Sequence, residues 1–137
     1  MSNPPAAGAP LPPAAPTAAP KVDLAEKLAL FAEHWKPHVV AELNGQQVKL
    51  AKLLGEFVWH HHEHEDELFL VLSGTLRMEL RDRVELVGPG QMIVVPRGVE
   101  HRPSADDEVE ILLFEPASTL NTGNLVNERT VATPERI

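Results

Sequence analysis

The chain of 137 residues carries 20 acidic against 12 basic side chains, a net charge of −8, and contains no cysteine. That length is one domain's worth, and the acidic balance argues against sequence-independent binding to nucleic acid or anionic membranes, which needs basic surface. The lack of thiols excludes disulfides, thiolate catalysis and cysteine-ligated zinc, and is compatible with the reducing cytoplasm in which we expect the protein.

Residues 1–20 hold seven prolines, seven alanines and no charge. Proline removes backbone donors and alanine offers little to bury, so a disordered, partly extended tail is expected there. Without a positive n-region and an apolar stretch it is not expected to be a secretory signal. No apolar run approaches the roughly 18 residues that span a bilayer, so a soluble protein without a membrane partner is expected. A single domain is assigned to residues 21–137, with its core over about 38–116.

Residues 22–35 read as a helix: Asp23 can cap its start, Leu24, Leu28, Phe31 and Trp35 recur at helical spacing, and Pro37 stops it. From His38 the period changes to two. Val39–Leu43 and Gln47–Leu53 flank Asn44-Gly45, a two-residue hairpin signal. Strands are then predicted at Phe57–His62, Glu67–Leu72, Leu76–Leu80, Val84–Val87, Met92–Val95 and Val109–Phe114, separated by Gly, Pro, Asn and Asp turns. Residues 116–137 read as an irregular surface segment. About eight short strands at this spacing indicate an all-β antiparallel sandwich or small barrel with a short accessory helix in front.

Alternation places Phe57 and Trp59 on one face of their strand and Val58, His60 and His62 on the other. In the next strand Glu67, Phe69 and Val71 share a face, opposite Leu68, Leu70 and Leu72. If the histidines and Glu67 look inward, Phe57, Trp59 and the leucine row look outward and need cover. The helix at 22–35 or a second subunit can supply it, and we expect a homodimer packed through that face.

Residues 59–67 pack four imidazoles and four carboxylates into nine positions, and His101 follows behind Pro96-Arg97-Gly98. Imidazole and carboxylate hold borderline and hard divalent metals. His60 and His62, two apart on a strand, project side by side. Glu67 across a short loop and His101 from a distant strand complete a set of four that leaves one or two positions open on a five- or six-coordinate ion. An open position distinguishes a catalytic site from a structural one. His61 is expected to point away from the set, and His64 to lie outside it, since pairing it with His62 would shorten the interval to Glu67. Glu63, Glu65 and Asp66 read as a solvated acidic loop, with Glu65 or Asp66 available to hydrogen-bond a liganding imidazole. Met78 and Met92 read as core fillers and Trp59 as packing. Arg77, Arg81 and Arg83 read as solvent surface, and Arg97 and Arg102 as surface residues or anion contacts near the mouth.

The pattern resembles the cupin superfamily. Its first motif, G-x5-H-x-H-x3–4-E-x6-G, is followed by Gly55, His60, His62, Glu67 and Gly74, with four residues after the first glycine. Its second, G-x5-P-x-G-x2-H-x3-N, is matched by Gly90, Pro96, Gly98 and His101, while Ala105 stands at the final asparagine, which is not a ligand in the family. The likeness spans about residues 38–116. Trp59-His60, Asp66-Glu67-Leu68-Phe69 and Gly98-Val99-Glu100-His101-Arg102-Pro103 look like the small single-domain bacterial cupins known as phosphomannose-isomerase-like, many of which have no assigned reaction.

The resemblance implies a jelly-roll β-barrel or sandwich with His60, His62, Glu67 and His101 holding one divalent transition metal inside one mouth. Manganese, iron, nickel, cobalt, copper and zinc all suit such a donor set. A metal-dependent enzyme of dioxygenase or isomerase type is expected, acting on a small molecule that chelates through oxygen, such as a diketone, hydroxyketone, catechol-like compound or sugar. No second general base is evident beside the ligands, which favours oxidation slightly. The competing expectation is a non-catalytic module that binds a small ligand or metal, because the same barrel serves both uses.

Overall fold

A computed structural model describes residues 18–137; the expected tail lies almost wholly outside the described residues. One helical turn, α1 (Leu24–Leu28), precedes eight strands: β1 (His38–Leu43), β2 (Gln46–Glu56), β3 (Glu67–Ser73), β4 (Leu76–Leu80), β5 (Val84–Val87), β6 (Met92–Val95), β7 (His101–Pro116) and β8 (Glu135–Arg136). The sheet runs β5-β4-β7-β2-β1-β8, and β3 pairs with both β7 and β6. All pairings are antiparallel except the short β1–β8 contact. This is the expected jelly roll.

Strand β7 closes the structure. One edge follows β2 from Glu56↔Ser104 to Gln46↔Pro116. The other edge serves β4 through residues 101–104 and β3 through residues 110–114. Between the two, Asp106, Asp107 and Glu108 are exposed where the β2–β7 register slips. Three consecutive acids cannot enter an apolar interior unpaired, so the strand bulges there and bends between layers. The same run hid the first half of β7, which begins at His101 rather than at Val109.

Inward residues of β2, β3, β4, β6 and β7, among them Leu53, Phe69, Val71, Met78, Val109 and Ile111, form the main core. A second cluster lies on the outside of the sheet, where Leu28 and Phe31 cover Leu50 with Leu72, Leu112 and Ile137 at its margin. The N-terminal segment thus covers part of the outward apolar row. Leu68 and Leu70 lie beyond that cluster, and their β6 neighbours Val94 and Met92 are 49% and 62% exposed.

The helix is five residues long, not fourteen. Asp23 caps it as expected, accepting from the Glu26 amide at 3.1 Å. Phe31 leaves the helical path to stack on the buried His38 ring at 4.0 Å. The Trp35 amide donates to the Lys52 carbonyl at 2.9 Å, and its indole Nε1 to the Leu54 carbonyl at 2.8 Å. These contacts hold Trp35 at φ 64°, a left-handed conformation costly for a bulky residue. Tertiary contacts have overridden a periodic helix pattern.

Candidate metal centre

Two of the four predicted donors sit at the start of regular strands, Glu67 on β3 and His101 on β7. The other two do not lie on a strand. Residues 57–62 form a connecting loop with a single bridge, His60↔His101, in which each amide donates to the other's carbonyl, at 3.1 and 2.9 Å. Simple alternation therefore fails for Phe57. It is buried, stacks on Trp35 at 4.7 Å and points inward, not outward. Further bonds fix the loop: the Phe57 amide to the Pro103 carbonyl at 3.0 Å, the Gly98 amide to the His62 carbonyl at 2.7 Å, and the Asn124 amide to the His61 carbonyl at 2.9 Å. Asp66 accepts from the Arg97 backbone and guanidinium at 2.9–3.3 Å.

One candidate donor atom from each of His60, His62, Glu67 and His101 lies within 4.8 Å of the others, and all four side chains are buried. The rings of His60 and His101 are 4.3 Å apart, and those of His60 and His62 5.1 Å. Glu67 Oε1 stands 3.4 Å from His62 Nε2 and 3.5 Å from His101 Nε2.

Backbone carbonyls set two tautomers. Nδ1 of His60 lies 2.8 Å from the Val58 carbonyl, and Nδ1 of His101 2.9 Å from that of Val99. A carbonyl only accepts, so each Nδ1 carries the proton and each Nε2 presents a lone pair. Burial, and next the proximity of His101, push His60 down to about 4, so its imidazole is neutral over the range in which it would bind a cation. Burial would raise Glu67, but contacts with Glu115, His101 and His62 outweigh it and hold the carboxyl well below its usual range.

The donor set fits a divalent transition metal. Both ring nitrogens of His62, Nε2 of His101 and Oε1 of Glu67 are buried without a hydrogen-bonding partner, and buried polar atoms rarely stay so. A cation would satisfy converging imidazole lone pairs and a carboxylate together.

The other histidines of the cluster stay apart. His61 is half-buried and meets Glu63 at 2.6 Å, and His64 is exposed. Neither Glu65 nor Asp66 supports an imidazole: Glu65 accepts from Ser118 at 3.3 Å and Asp66 is taken by Arg97. Arg102 is committed to Glu79 at 2.6 Å, and Trp59 packs beneath Arg81, 3.8 Å from ring to guanidinium. Met78 is fully buried as expected, whereas Met92 is exposed.

His60 and Glu67 open into a cavity of about 40 Å³ whose walls include Trp35, Phe57, Phe69 and Ile111. Sequence reasoning missed two polar groups on it, Glu115 and Asn121. Burial, and then the charge on Glu67, push Glu115 well above the carboxylate range. Its parity was a usable signal, because it continues the inward row Val109, Ile111 and Leu113. Asn121 belongs to a segment that closes over the metal loop, with the Thr122 hydroxyl donating to the Leu125 carbonyl at 2.6 Å.

The cupin domain model matches residues 47–115. A cupin-2 domain containing protein from Shewanella frigidimarina is 46% identical, with a TM-score of 0.69 over 69% of this chain and 93% of that one. Protein NMB1881 from Neisseria meningitidis is 30% identical, with a TM-score of 0.66 over 72% of this chain and 100% of that one. The uncharacterized protein YdbB of Bacillus subtilis is 38% identical over 64 residues, which make up 46% of this chain and 57% of that protein's length.

Proposed function

The chain belongs to the cupin family, and from that premise we propose that it is a metal-dependent enzyme of dioxygenase or isomerase type acting on a small oxygen-chelating molecule. One observation carries the reading: four buried donors converge, and two of them, His60 and Glu67, line a cavity of about 40 Å³ beside the cluster. A metal ion held by His60, His62, Glu67 and His101 would supply Lewis acidity to a chelating oxygen.

The chain's own residues do the rest. Backbone carbonyls aim the His60 and His101 nitrogens, and the Trp35–Phe57 stack forms an apolar wall that limits water and favours a compact, poorly hydroxylated substrate over a sugar. Glu115 on the cavity wall removes the ground on which oxidation was preferred to isomerisation, namely the want of a second acid–base group.

The test is turnover by protein loaded separately with manganese, iron, nickel, cobalt, copper or zinc and never exposed to a nickel column. Oxygen uptake and product formation are followed with small diketones, hydroxyketones and catechols. Turnover lost in a folded His62→Ala variant supports the enzyme. Tight ligand binding without product for any metal would replace it with a non-catalytic binding module.

We also propose a cytoplasmic homodimer. Its contact is the outer face of β3 and β6, where Leu68 pairs with Val94 and Leu70 with Met92. Trp59 and Phe57 drop out of that surface. The N-terminal segment caps only the Leu50–Leu72–Leu112 end.

A further inference from the structure

Beside the four donors lies a pair of buried titratable residues that metal ligation leaves unused. Lys49 on β2 and Glu115 on β7 are 1% and 2% exposed, and Lys49 Nζ donates to Glu115 Oε1 at 2.8 Å. Both continue rows of apolar inward side chains, Lys49 with Ala51 and Leu53, Glu115 with Ile111 and Leu113. Taking an ammonium and a carboxyl group out of water costs more than their mutual contact commonly returns, so stability is a poor reason for such a pair.

Its placement suggests another role. The β3–β7 register, Leu68↔Phe114, brings Glu67 up against Glu115, and both carboxyl groups line the same cavity. Glu115 has one oxygen on Lys49, while its Oε2 is buried with no other partner. Glu67 in turn directs Oε1 at His62 and His101. The chain of contacts therefore runs from Lys49 through Glu115 to the single carboxylate among the donors.

The geometry points to Lys49 and Glu115 as positioning residues: Lys49 tethers Glu115, and Glu115 holds the Glu67 carboxyl in the orientation that completes the metal site. This rests on the metal-binding reading above. Groups that orient a ligand in this way commonly alter metal affinity by about 10- to 100-fold when replaced. A pair serving only the fold has no such effect, and its replacement by apolar residues of like volume is often neutral for stability.

The experiment measures the dissociation constant of the full chain for Co(II), by competition with a chromophoric chelator, alongside urea unfolding. Lys49→Met/Glu115→Leu is expected to unfold at or above the wild-type midpoint yet bind Co(II) about 10- to 100-fold more weakly. Two milder variants keep the test open should that one fail to fold. Glu115→Gln retains groups that can bond both Lys49 and Glu67, and is expected within about threefold of wild type. Lys49→Met/Glu115→Gln differs from it only in the tether, and is expected at least about tenfold weaker. Equal affinities in these two, or wild-type affinity in the apolar pair, overturn the assignment. Failure of the metal reading itself looks different: wild-type protein would then bind Co(II) no better than Glu67→Gln, and the positioning role would fall with it.

Discussion

Gly123→Ala tests whether the segment after β7 is a structural part of the metal centre. Gly123 sits at φ 59°, and a Cβ there would lie 2.2 Å from the His61 carbonyl oxygen and 2.9 Å from His60 Cδ2. Real contacts of this kind stay beyond 3.0 Å, so segment and loop must part by at least about 0.8 Å (3.0 less 2.2). The left-handed backbone costs alanine about 1–2 kcal/mol, and overpacking of this kind about 1–3 kcal/mol. Together they predict a loss of roughly 2–5 kcal/mol, with the Asn124–His61 bonds at 2.9 Å the first to yield. Gly90→Ala is the control: φ there is 77°, but nothing lies within 4 Å of the added methyl, so only the backbone cost applies. Urea unfolding and Co(II) affinity of both variants decide the matter. The expected result is a larger stability loss for Gly123→Ala, with weakened metal binding because His60 is displaced. If the two variants unfold alike and bind cobalt alike, the segment is not packed on the metal loop and the reasoning fails.

Other perturbations reach the site and the surface separately. His60 titrates near 4 in the folded protein against an ordinary 6.5, so the unfolded chain binds more protons between those values. Its contribution to stability is complete above about pH 6.5 and falls away as the pH drops through about 4, for a total of about 3 kcal/mol; metal-free protein whose unfolding midpoint is flat from pH 7 to pH 4 would refute this. Saturating Co(II) at about 100 times its dissociation constant is expected to stabilise the wild type by about 2.7 kcal/mol and to leave His101→Ala almost unmoved in thermal melts, whereas an equal rise in both would place the ion elsewhere. Val94→Glu, at a position 49% exposed, is expected to convert a dimer into a folded monomer in sedimentation; a monomeric wild type at micromolar concentration contradicts the proposed face.

The ligand residues were legible because their spacing follows from local geometry. His60, His62 and Glu67 share one loop and the strand start after it, so their separation in sequence constrains their separation in space. Lys49 was not legible. In Gln47-Val48-Lys49-Leu50 the apolar residues alternate with polar ones, which on a single sheet places Lys49 in water. The N-terminal segment instead covers the Leu50 face, and the barrel interior takes Lys49, so both faces of β2 are buried. That outcome depends on a segment twenty residues away and on a partner at Glu115. The helix failed for the same reason in reverse: Leu24, Leu28, Phe31 and Trp35 have helical spacing, but the Lys52 and Leu54 carbonyls capture Trp35.

Unsatisfied polar capacity ties the fold to the chemistry. Among the described residues seven buried side-chain atoms lack a hydrogen-bonding partner, and five of them belong to His62, Glu67, His101 and Glu115. Each such atom costs about 1–3 kcal/mol if left unmet, and a barrel of this size could fill the same positions with leucine or valine. Scattered defects would suggest loose packing. Here they gather at one end of a barrel whose remaining interior, from Val71 through Met78 to Val109, is fully buried and apolar. The tautomers of His60 and His101 are already set by backbone carbonyls, so their free nitrogens are directed before any cation arrives. A site arranged in advance loses little freedom on binding, and the energy withheld from folding is available to hold the ion. The same polar end then explains why the clamps on residues 57–66, from Arg97, Gly98, His101, Pro103 and Asn124, come from two other stretches of chain, 97–103 and the segment after β7: a loop carrying two imidazoles that cannot satisfy themselves needs its backbone bonds made elsewhere.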